Sequence, residues 1–169
     1  VRITITDQVG VRVLPPEDAV TLKVIEHEER RSHNSSVPLC TATANDARDT
    51  YHATGWHLPP GDIAYRVNTG RAPREIRALV RGALSSAAAT WSSADPAMHF
   101  ADAGTTNVRR ARYDGQNVIT WDSLRRGVIA VAYVWYDPAT GEVIDNDMVF
   151  STRVRWSVND AGGGDCAGA

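Results

Sequence analysis

One lysine, two cysteines, two methionines and two phenylalanines are all that 169 residues hold of those types, and each shortage closes an option. With Lys23 standing alone, the positive charge is almost wholly arginine. Against 20 acidic residues it leaves a net charge of −2, which gives no electrostatic footprint for nucleic acid or an anionic membrane surface. No apolar run approaches the roughly 18 residues that a bilayer-spanning helix needs, so no membrane span is expected. No G-x-S-x-G elbow occurs. The serines Ser85, Ser86, Ser92 and Ser93 lie on or beside an alanine-rich stretch. Gly162-Gly163-Gly164 precedes neither a lysine nor a helix pattern, so no phosphate cradle is expected. What remains is the composition of a soluble globular chain, 43% hydrophobic, long enough for one domain with a sizeable core and an appendage.

The strongest local pattern runs over residues 114–150. Asp114-Gly115 opens a short apolar run at 117–122. A second run at 127–136 is rich in β-branched and aromatic residues, and Asp137-Pro138-Ala139-Thr140-Gly141 reads as a hairpin loop into a third run at 142–150. The pair joined by that loop is expected to be antiparallel. Upstream, Ile76, Leu79, Val80, Ala83, Leu84, Ala87, Ala88 and Trp91 recur at spacings of three and four. They predict one amphipathic helix over 73–93, with Pro73 in its first turn and Asp95-Pro96 past its end. Residues 63–68 and 98–101 alternate as strands on either side. Strand, long helix and four further strands predict an α+β layer in which one helix covers a twisted, mixed five-stranded sheet. The strand–helix–strand start predicts a right-handed crossover and a parallel pair.

These residues carry a resemblance. Tyr65-Arg66-Val67-Asn68, then Ala89-Thr90-Trp91 closing the helix, then Met98-His99-Phe100, then residues 114–121, then Ile129-Ala130-Val131-Ala132-Tyr133, resemble the amino-terminal, upper subdomain of a matrixin-type (metzincin) zinc metalloendopeptidase. The likeness covers residues 56–156. It implies a zincin-like upper subdomain from a secreted or extracellular enzyme that cleaves extended peptides. The segment 127–133 is similar to the family's fourth strand, which edges the sheet above the active-site cleft. On that likeness the backbone of Ile129, Ala130, Val131, Ala132 and Tyr133 would hold an extended peptide or protein substrate by strand addition.

The family's chemistry comes from H-E-x-x-H and a third histidine, which hold zinc and position the general base. This sequence has no such motif. In His27-Glu28-Glu29-Arg30-Arg31-Ser32-His33 the histidines are six apart rather than four, which turns them away from a common helix face. A solvated charged stretch is the simpler reading. After Trp156 the chain runs into a glycine-rich tail, 159–169, where the zinc helix would be expected. Either the polypeptide is cut there or its lineage keeps the upper part alone. The implied zinc of an intact enzyme therefore has its ligands outside this chain, no catalytic residue is expected within it, and the chain alone is expected to be inactive. Used without chemistry, the same edge would serve a non-catalytic peptide- or protein-binding module, or be covered in a larger surface protein.

Other candidates are weaker. Val131 stands where many matrixins place a structural-zinc histidine, so the resemblance implies that this site is missing. Asp145 and Asp147, two apart on a strand, share a face and suit calcium; a solvent-facing position is the plainer alternative. His99 is expected to point away from Met98 and Phe100. Cys40 and Cys166 flank the matrixin-like region and are either bridged or two unpaired thiols. Leu39-Cys40-Thr41 lacks the surroundings of a zinc-inhibiting propeptide cysteine. The first fifty residues read as a β-rich appendage or propeptide remnant, with strands at 1–6, 9–14 and 19–26. A polar linker at 26–36 follows, where Asn34 would be a glycosylation acceptor only in a eukaryotic secretory route. The division expected is thus 1–50, 51–158 and 159–169. The chain begins at Val1 with neither methionine nor an apolar leader, so processing is expected to have removed its start.

Overall fold

The computed structural model describes residues 20–28 and 55–158. The strands expected at 1–6 and 9–14, His33, Asn34, Cys40, His52, Cys166 and the glycine-rich tail lie outside the described residues.

Six strands and one long helix follow in the order β1 (Thr21–Glu28), β2 (Gly61–Val67), α1 (Val80–Ala94), β3 (Met98–Thr105), β4 (Asn117–Asp122), β5 (Val128–Tyr136) and β6 (Val143–Ser151). They make one sheet in the spatial order β1-β5-β6-β4-β2-β3. The α+β class expected from the sequence is found, but the sheet has six strands rather than five. The sixth is β1, the strand expected at 19–26, which pairs antiparallel with β5 along its whole length. β2 is parallel to both β3 and β4, and β4 is parallel to β6, as the crossover through α1 requires of the β2–β3 pair. β5 and β6 are antiparallel across the expected hairpin. In that loop Gly141 has φ +79°, and a Cβ there would stand 2.5 Å from the carbonyl oxygen of Gly55, so only glycine fits.

The helix departs from expectation at its start. Residues 73–79 form successive turns in which Ile76 N–H bonds to Pro73 and Leu79 N–H to Ile76, an i to i−3 spacing. The four-residue spacing begins with Val80 N–H on the Ile76 carbonyl. Leu79 at the N-cap offers no side-chain acceptor. Meanwhile the Arg77 guanidinium folds back onto the Ala72 carbonyl at 2.9 Å. The buried stripe is also narrower than the sequence implies. Ala72, Ile76 and Val80 are buried, with Leu84 and Ala88 packed against the same cluster, which is a strict ladder of four. Leu79 and Trp91, expected to face the sheet, are 44% and 69% exposed, and Ala87 is exposed too.

Beneath that stripe lie Tyr65, Val67 and Trp121. Trp121 stacks on Phe150 with ring centroids 5.4 Å apart, and Trp156 meets Phe150 edge-on at 5.1 Å. Trp156 is fixed by its indole N–H, which donates to the Ser151 carbonyl at 2.7 Å. These aromatics and Ile76, Val80 and Leu84 line an apolar cleft of about 150 Å³ beside the helix.

Candidate functional site

β5 was expected at the edge of the sheet. In the structure it lies inside, between β1 and β6. The reason is physical: a nine-residue apolar strand with one open side would leave a row of unpaired backbone groups, and the chain's own β1 supplies the partner. Four of the five residues singled out from the sequence are matched across that pair. Tyr133 lies opposite Val24, Ala132 opposite Ile25, Val131 opposite Glu26 and Ala130 opposite His27. Ile129 falls beside the register shift between His27 and Glu28. The strand addition expected of a substrate is thus made by residues 21–28, in antiparallel sense.

Because paired residues share a face, the register sorts the side chains. On the helix side β5 presents Ala130, Ala132 and Val134, all buried, against Phe150, Met148 and Asn146 of β6. Ile25 stands opposite Ala132 on that side. On the other face stand Val131, Tyr133 and Trp135, with the last two rings stacked at 6.1 Å and Tyr113 leaning on Trp135 at 6.3 Å. Leu22, Val24 and Glu26 of β1 lie opposite these three. The Arg125 guanidinium, from the connection between β4 and β5, holds the Glu26 carboxylate at 2.6 Å. Burial pushes the Tyr133 phenol above its ordinary range, and the nearby carboxylates of Glu26 and Asp122 add to the effect. No residue of β1 from Thr21 to Glu26 is fully buried. Backbone pairing, half-buried side chains and this ion pair together hold β1.

The same face carries the two aspartates of β6. Neither is solvent-facing: Asp145 and Asp147 are 0% and 1% exposed. Both hold the connection between β3 and β4 in place. Asp147 accepts from the backbone N–H of Arg112 and of Val118, each at 2.8 Å. Asp145 accepts through Oδ2 from Asp114 and Gly115 at 2.7 and 2.8 Å, while its Oδ1 has no partner among the described residues. Burial pushes both carboxyls up, Asp147 to about 6, against the lowering effect of those N–H groups. Calcium takes six to eight oxygens, and here three of the four carboxylate oxygens already accept backbone N–H groups. The donor set does not fit calcium, and the pair serves as a loop anchor. Among the described residues no group of three or more His, Cys, Asp or Glu is placed to hold a metal ion, so zinc finds no fit there either. His57 and His99 are exposed on separate elements, and His27 is defined by its backbone pairing with Ala130.

Sequence reasoning found β5 but missed what sits on it. The Arg125–Glu26 contact joins residues 99 apart in the chain, and nothing local marks either as a partner. The anchors were visible only as a spacing of two. Asp114-Gly115, read as a turn, was the available sign that the loop closes onto something, and its two N–H groups are the ones Asp145 takes.

The chain matches no family model, no curated protein and no solved structure. Among the described residues no helix is long and apolar enough to cross a membrane.

Proposed function

We propose that this chain holds an extended peptide by strand addition to β5, with main-chain hydrogen bonds from residues 129–133 giving affinity and the flanking side chains giving selectivity. One observation carries the reading: an eight-residue strand of the chain already occupies that position, antiparallel and in continuous register from Thr21 to His27, without burying any side chain from Thr21 to Glu26 completely. β1 is a resident ligand that must yield for another peptide to enter. The finer form of the proposal follows the resemblance: the chain is the substrate-positioning, zincin-like part of a secreted matrixin-like zinc metalloendopeptidase. Its support is the sequence likeness over residues 56–156 and the strand–helix–strand–strand–strand–strand order of those residues. In that form zinc and its ligands come from outside these 169 residues, and the chain's own part is to bind and align the peptide. The plain binding module makes the same use of β5 without hydrolysis.

The test weakens β1 in the full chain. Val24 and Ile25 are successive, so one of their two amides faces β5, and replacing both with proline (Val24→Pro and Ile25→Pro) removes it whichever it is. A fluorescent peptide of the sequence 21–28 is expected to bind this variant at one-to-one stoichiometry and to bind the parent chain far more weakly. A variant that keeps its circular dichroism yet binds no peptide would overturn the proposal.

A further inference from the structure

The register of β1 on β5 also spells out which peptide the site would take, and this inference rests on the strand-addition reading. Three features of the groove are fixed by residues that do not belong to β1. On the helix side Ala132 presents only a methyl group, and the branched aliphatic side chain of Ile25 lies opposite it. On the other face, Tyr133 and Trp135 form a stacked aromatic floor, where Val24 and Leu22 lie opposite. Two residues beyond Val24 on that face, the floor ends at Val131 and the Arg125 guanidinium takes over, contacting both carboxylate oxygens of Glu26. Arg125 Nε and Nη2 converge on Oε2 at 3.2 and 2.6 Å, a charge-assisted contact that discriminates by sign of charge.

We infer that β5 selects an extended peptide carrying aliphatic residues over Tyr133 and Ala132 and an acidic residue opposite Val131, with Arg125 as the residue that reads the acid. The partner is thus a strand of the pattern aliphatic-any-aliphatic-aliphatic-acidic, read in the order of Leu22 to Glu26, running antiparallel to β5. Arg125 is a specificity residue here, since it touches the ligand's side chain.

The experiment uses the full chain carrying Val24→Pro and Ile25→Pro, titrated with two labelled peptides of the sequence 21–28, one as it stands and one with lysine in place of the residue equivalent to Glu26. The parent peptide is expected to bind about fivefold or more tightly than the lysine peptide, the scale of an exposed ion pair replaced by a like-charge pair. Adding Arg125→Glu to the chain is expected to reverse the order. Equal binding of both peptides, unchanged by Arg125→Glu, would overturn the acidic selectivity and leave strand addition standing. Binding of neither peptide to a folded variant would overturn strand addition itself, and the selectivity with it.

Discussion

Asp147 sets the chemistry of a single residue against its surroundings. Two backbone N–H groups stabilise its charged form, yet burial outweighs them and holds its carboxyl at about 6. An unfolded aspartate titrates near about 3.9. The folded state therefore binds the proton more readily, and the stabilisation this gives is complete below about pH 4 and lost as pH rises through about 6. The gap is worth roughly 2–3 kcal/mol. Asp145, shifted the same way, adds to it. Urea midpoints are predicted to be higher at pH 5 than at pH 7.5, and Asp147→Asn should flatten that difference. A midpoint that falls on going from pH 7.5 to pH 5 would contradict it. Little of this was legible beforehand. A spacing of two put both aspartates on one face, but which face is inside depends on the loop 106–116 closing over them, and that is tertiary information.

At the scale of elements, periodicity located every described strand and the helix, and erred where packing decides. β4 has the expected bounds, and β3 runs on to Thr105 through small and polar residues that give no β signal. The helix pattern is satisfied equally by a wide stripe and by a ladder of four. α1 uses the ladder, which packs over Tyr65 and Val67 of β2 and Trp121 of β4. The consequence is a reversal at two neighbouring positions. Leu79→Asp, at a position the sequence pattern assigns to the buried stripe, is predicted to destabilise the fold by no more than about 0.5 kcal/mol, since Leu79 is 44% exposed and an aspartate at this N-cap offers the acceptor that leucine lacks. Ile76→Ala, at a site 5% exposed, should cost about 2–5 kcal/mol. Chemical denaturation of the two variants separates these outcomes, and a larger loss at Leu79 would mean that the helix is turned by about a sixth of a turn, with Leu79 against the sheet in place of Ile76.

For the whole molecule the question is what the sixth strand does. An apolar strand in the sequence implied that its open side needs a cover, and the chain provides one from a region that reads as an appendage. That step could not be read from residues 21–28, whose alternation fits any edge. Nor could it be read from β5, since pairing across so long an interval leaves no local mark. The strands of the sheet differ in how far their side chains are buried. β5, β6, β4 and β2 are bound through buried side chains such as Val134, Val149, Val118 and Val67, whereas β1 adds a ladder with no fully buried side chain from Thr21 to Glu26. Amide exchange on the full chain tests this most directly, because alternate N–H groups of β5 point to β1 and to β6. The N–H groups facing β1 are predicted to exchange well before those facing β6, through release of β1 alone, and to slow when excess peptide 21–28 is added. Equal protection of both sets at the rate of global unfolding, unmoved by peptide, would show that β1 is a fixed strand and that β5 holds no peptide but its own.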